Sequence, residues 1–101
     1  MKKTLFLAAM FVQFVMMNAQ TYTNPILDGD FPDPTIMREG NDYYMTHSAF
    51  DYQPGLVVFH STDLVHWEPI SFALKTYLGS VWAPDISKYK DKYYICMWKL
   101  Q

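Results

Sequence analysis

The chain repeats itself at an offset of 50 residues, and that repeat limits what it can fold into. Pro34-Thr35-Ile36-Met37-Arg38-Glu39-Gly40-Asn41-Asp42-Tyr43-Tyr44-Met45 aligns without a gap on Pro84-Asp85-Ile86-Ser87-Lys88-Tyr89-Lys90-Asp91-Lys92-Tyr93-Tyr94-Ile95. Proline, isoleucine, a basic residue, the tyrosine pair and a closing apolar residue all recur. Each copy reads as a short strand, a polar turn and an aromatic strand, two hairpins of one design. A period near 50 residues in an aromatic-rich, all-β chain predicts a β-propeller with one four-stranded blade per repeat. Chance similarity of two hairpins is the competing reading.

The residues between the copies supply the strands such a blade lacks. Leu56-Val57-Val58-Phe59-His60 reads as a third strand, and Trp67 to Phe72 as a fourth. Between them, Ser61 to Trp67 reads as a capped single turn, in which Ser61 or Asp63 accepts from a free backbone N–H. Leu64 and Trp67, three apart, are expected to share a buried face there. Aromatic residues make up 18% of the chain, enough to fill the seams between blades without invoking ligand platforms for most of them.

The ends carry separate signals. Residues 1–19 read as a secretory signal peptide, with Lys2 and Lys3 as the basic start, an apolar run from Leu5 to Met17 and Ala19 near the expected cut. That run holds no cysteine for lipid attachment and is short for a membrane span. Its loss leaves 6 basic against 10 acidic residues, so the net charge moves from -2 to -4. No basic run remains, which removes electrostatic support for a nucleic-acid partner or for an anionic membrane surface. The single cysteine, Cys96, cannot form an internal disulfide and is expected to be a small buried hydrophobe. No Cys/His spacing points to a metal, and no cofactor is implied. The strand Tyr93 to Trp98 is followed by only three residues. Residues 20–101 are therefore expected to be the N-terminal part of a larger domain. One and a half repeats leave sheet faces uncovered, so this segment alone is expected to be unstable or aggregation-prone.

One carboxylate stands out. Asp33 lies between Pro32 and Pro34, just before the first repeat. Each proline fixes its own φ and restricts the residue before it, so Asp33 is expected on stiff, extended backbone with a preset direction. Such preorganisation suits a group that must aim at one water or one carbon. The plain alternative is an aspartate in a proline-rich turn.

Asn24-Pro25-Ile26-Leu27, Gly29-Asp30-Phe31-Pro32-Asp33-Pro34-Thr35-Ile36 and Asp42-Tyr43-Tyr44 together resemble the opening of a glycoside hydrolase family 43 catalytic domain. The resemblance continues through Ser48-Ala49-Phe50, Pro54-Gly55-Leu56, His60 to Trp67 and Val81-Trp82-Ala83-Pro84-Asp85-Ile86, nearly all of Tyr22 to Trp98. Its order is most similar to the β-xylosidase branch, beside α-L-arabinofuranosidases and arabinanases. The resemblance implies an all-β fold that is a five-bladed β-propeller in the intact family, of which this chain holds only the first one to two blades. It also implies hydrolysis of xylose- or arabinose-containing polysaccharides or oligosaccharides with inversion.

In that family the general base falls on the aspartate between two prolines, here Asp33. The general acid and the aspartate that tunes it lie beyond Gln101, so this chain alone is expected to show no hydrolysis. Trp82 matches a residue that lines the sugar pocket, and Phe50 an aromatic at its border. Asp85 is equivalent to Thr35 in the repeat and is read as structural, as are His60 and His66. Inversion needs a base for water on one side of the sugar and an acid for the leaving oxygen on the other, with the carboxyls roughly 6.5–9.5 Å apart. Three other readings stay open. One is a sugar-binding propeller without catalysis, and another is an inactive gene fragment. The third is a retaining five-bladed glycosidase, whose Asn-Asp-Pro-Asn context is absent here.

Overall fold

The computed structural model describes residues 21–100, so the expected signal peptide lies outside the described residues. Six strands follow one another: β1 Thr35–Glu39, β2 Asp42–Thr46, β3 Gly55–Ser61, β4 Glu68–Leu74, β5 Ser80–Tyr89 and β6 Lys92–Leu100. No helix occurs among the described residues. β1 to β4 form one antiparallel sheet in chain order, and β5 and β6 pair as a separate hairpin. This is one four-stranded blade and the opening of the next, the arrangement that the repeat predicts.

The two copies of the repeat form matching hairpins. β1 and β2 pair from Thr35↔Thr46 to Glu39↔Asp42, and β5 and β6 from Ser80↔Leu100 to Tyr89↔Lys92. Each closes over two residues, and the first of these is left-handed in both, Gly40 at φ 60° and Lys90 at φ 54°. Positive φ at that place matches the twist of paired strands. Glycine adopts it freely, whereas lysine does so at a steric cost.

Repeat-equivalent residues also meet across the boundary between blades. The Thr35 hydroxyl donates to Asp85 Oδ1 at 3.2 Å and accepts from the Ile86 N–H at 3.3 Å. Further along the same two strands, the Lys88 ammonium bonds the Glu39 carboxylate. That hydrogen bond raises the Lys88 pKa above its ordinary value. β1 and β5 thus lie side by side, as the first strands of neighbouring blades. An apolar cleft between the sheets is lined by Met37, Tyr44, Val58, Ile86, Tyr93 and Ile95. It carries no carboxylate and belongs to packing rather than to chemistry.

Two clusters form the core. Met45, Phe59 and Trp67 are buried within the blade, with Leu27, Phe31, Tyr43 and Val57 packed against them. Ala49, Leu56, Leu74 and Val81 form the second, where Ile95 and Met97 join from β6. The second cluster therefore ties the two sheets together. β4 is the outer strand, exposed along all but its last residue. Its Pro69 pairs opposite Phe59 at an irregularity in the ladder, a position where a missing N–H is tolerated.

Three sequence expectations need correction. Cys96 is exposed, not buried. Strand alternation turns Ile95 and Met97 inward, so Cys96 points the other way. Leu64 does not share a buried face with Trp67. It has φ 66° and is 40% exposed, so the segment is a chain of side-chain-capped bends rather than a helical turn. Trp67 is buried, and its indole N–H reaches the Leu64 carbonyl at 3.1 Å. The third correction concerns Asp33.

Candidate active site

Asp33 is not on extended backbone. Its φ is 52°, in the left-handed region. Aspartate tolerates that region better than most residues, and a short contact network holds it there. Ser48, at the exit of β2, donates its hydroxyl to Asp33 Oδ2 at 2.6 Å. The Ser48 N–H donates to the Pro32 carbonyl at 3.0 Å. The Pro32-Asp33 segment is thereby fastened to the blade at two points. Asp33 itself remains exposed.

The same serine reaches the second blade. Ser48 Oγ accepts the Ala83 N–H at 2.7 Å. Ala83 sits inside β5 where the ladder shifts between Trp82 and Asp85, and its φ is 43°. Phe50, two residues after Ser48, is also left-handed at φ 48°. Its N–H donates to the Val81 carbonyl at 2.9 Å, and its carbonyl accepts the Val81 N–H at 3.0 Å. Val81 is fully buried. Three non-glycine residues in a costly conformation thus converge on one place, each held by bonds from a neighbouring segment. Strain of this kind persists only where the surroundings over-determine it, and it gathers at functional sites.

The two expected pocket aromatics touch. The Phe50 and Trp82 rings lie 4.7 Å apart, edge to face at 73°. The Trp82 indole N–H donates to Ser80 Oγ at 2.9 Å, which fixes the ring from behind. Trp82 stays 41% exposed, so a large apolar surface faces solvent beside the Ser48–Asp33 pair. Next to Phe50, Asp51 accepts the Tyr77 hydroxyl, and that bond raises the Tyr77 pKa.

Asp33, Phe50 and Trp82, named from sequence, are therefore drawn to one corner where the two blades meet. Ser48 was not singled out from sequence. A serine beside a β-strand carries no signal until the partners from Pro32 and Ala83 are known. Asp85 lies in the inter-blade bond with Thr35. His60 bonds Asp42 at 2.6 Å, and His66 bonds Asp63 at 2.7 Å. Among the described residues, no cluster of three or more His, Cys, Asp or Glu side chains is placed to hold a metal ion.

Comparison with known proteins places the chain. Residues 22–99 match the model for glycosyl hydrolases family 43, and the chain belongs to that family. A non-reducing end alpha-L-arabinofuranosidase of Bacteroides ovatus is 47% identical over 70 residues, covering 69% of this chain and 13% of that protein. A beta-xylosidase of Bacillus subtilis is 39% identical over 83 residues, covering 72% of this chain and 16% of that protein. Among solved structures, a xylan beta-1,4-xylosidase of Bacillus halodurans superposes with a TM-score of 0.70 at 38% identity. That superposition covers 76% of this chain and 17% of the other. The described residues thus hold the first blade and the start of the second of the family's propeller. The chain spans less than a fifth of the length of these relatives.

Proposed function

We propose that the protein is an exported hydrolase of xylosides or arabinosides in plant polysaccharides or their oligosaccharides, acting with inversion and using Asp33 as general base. The observation that carries this reading is the corner itself. A carboxylate with one oxygen tied, and no protein bond to the other among the described residues, stands beside the edge-to-face pair of half-buried Phe50 and exposed Trp82. In the reaction, Asp33 takes a proton from water while the water oxygen bonds to the anomeric carbon. The bond to the leaving oxygen breaks, and that oxygen takes a proton from an acid on another blade. Phe50 and Trp82 offer apolar faces to the C–H groups of a pentose. Export rests on the N-terminal basic and apolar run.

The experiment supplies the rest of the propeller. Residues 22–99 replace the matching segment of the Bacteroides ovatus arabinofuranosidase, and hydrolysis of aryl arabinosides and xylosides is followed. The chimera is expected to turn over, and Asp33→Asn to lose about 10²–10⁴-fold in kcat, the usual worth of a positioned base. A folded chimera without turnover, or undiminished turnover in Asp33→Asn, overturns the reading.

A further inference from the structure

We infer that Ser48 is the positioning residue of the site. Its hydroxyl clamps Asp33 Oδ2 and is itself aligned by the second blade, which leaves Oδ1 as the oxygen that receives the proton. This rests on the reading of Asp33 as base.

The direction of every bond follows from the atoms involved. The Ala83 N–H can only donate, so Ser48 Oγ is its acceptor. One lone pair of that oxygen is thus engaged, and its proton is free to donate to the carboxylate at 2.6 Å. The length is that of a charge-assisted O–H···O⁻ bond. The Ser48 N–H holds the Pro32 carbonyl. The Ser48 carbonyl can only accept, so His47, 2.7 Å away, carries its ring proton on Nδ1. His47 in turn is wedged between Phe31, at 5.1 Å, and Phe59, at 6.1 Å. All the polar groups of Ser48 are therefore bonded, and the residue is 2% exposed. It has no freedom to turn its hydroxyl elsewhere.

An ordinary buried serine satisfies itself on one neighbouring turn. Ser48 instead joins three segments that are far apart in sequence, and two of its partners, Asp33 and Ala83, are left-handed. Asp33 Oδ1 receives no protein hydrogen bond among the described residues. The carboxylate is thus held by one oxygen and presents the other. Because the aligning N–H comes from β5, the aim of Asp33 depends on correct seating of the second blade against the first.

The test uses the complete chimera with Ser48→Ala and Ser48→Thr, each scored by kcat per folded molecule, KM and a crystal structure. Ser48→Ala is expected to lower kcat about 10–100-fold with KM within twofold and to let the Asp33 carboxylate rotate. Ser48→Thr, which keeps the hydroxyl, is expected to recover most of kcat. Unchanged kcat per folded molecule in Ser48→Ala overturns the inference, as does an Asp33 carboxylate that keeps its orientation there. Should the parent chimera fold without turnover, the base assignment fails by itself. The Asp33 orientation in Ser48→Ala then decides whether the clamp exists.

Discussion

Phe59→Ala is expected to undermine the site from below. Phe59 is 7% exposed and shares the blade core with Met45 and Trp67. Its ring meets Phe31 edge to face at 5.8 Å and lies 6.1 Å from His47. Phe31 begins the Phe31-Pro32-Asp33 segment, and His47 precedes Ser48, so one ring supports both sides of the Asp33 clamp. Truncating a buried phenylalanine to alanine costs about 3–5 kcal/mol through lost transfer energy and the cavity left behind. A small domain has only about 5–15 kcal/mol in total. In the complete chimera, with a urea slope of about 3 kcal/mol per molar, a loss of about 4 kcal/mol moves the midpoint down by about 1.3 M. Phe59→Leu keeps most of the volume and is expected to cost less than about 1.5 kcal/mol. Urea titration followed by tryptophan fluorescence reads this directly, since Trp67 lies in the same cluster. Midpoints for Phe59→Ala and Phe59→Leu that match the parent would refute the packing argument.

Two further predictions concern the aromatic corner and the acid limit of stability. Trp82→Ala in the chimera is expected to raise KM for aryl pentosides about tenfold, equivalent to about 1.4 kcal/mol, within what an aromatic face supplies. A KM within twofold of the parent contradicts the platform role. Asp63 is held well below the usual carboxylate range, first by the His66 imidazole bonded to it, then by the His66 and Val65 N–H groups. A lowered folded-state pKa stabilises the fold fully above the unfolded value of about 3.9, and that contribution disappears as pH falls through the lower, folded value. Melting temperature is therefore expected to fall more steeply below pH 4 in the parent than in Asp63→Asn. Parallel profiles contradict the assignment.

Much of the architecture was legible in the sequence because the repeat carries it. Both hairpins and their polar turns follow from the repeat, and the strand around Val57 from its run of apolar residues. Even the contact between Thr35 and Asp85 is foreshadowed, since equivalent positions of neighbouring blades face each other. Cys96 was misjudged because Tyr93 to Trp98 is apolar at both parities, so alternation could not tell which side faces the core. The conformation of Asp33 was misjudged for a different reason. Proline restricts its neighbours locally, whereas the left-handed turn is set by bonds from Ser48, 15 residues away. Phe50 and Trp82 were identified by resemblance, but their edge-to-face contact follows from the Phe50–Val81 pairing, which no local pattern announces. Ser48 was invisible for the same reason, as its role exists only once two blades are side by side.

We propose Asp33 as the base of an inverting hydrolysis. Proton NMR of the first-formed sugar, recorded while the chimera cleaves an aryl pentoside, tests it most directly, with Asp33→Asn run alongside. The predicted result is a first-formed anomer opposite to that of the substrate, and no sugar released by Asp33→Asn over the same period. A first-formed anomer matching the substrate, or undiminished release by Asp33→Asn, would contradict it.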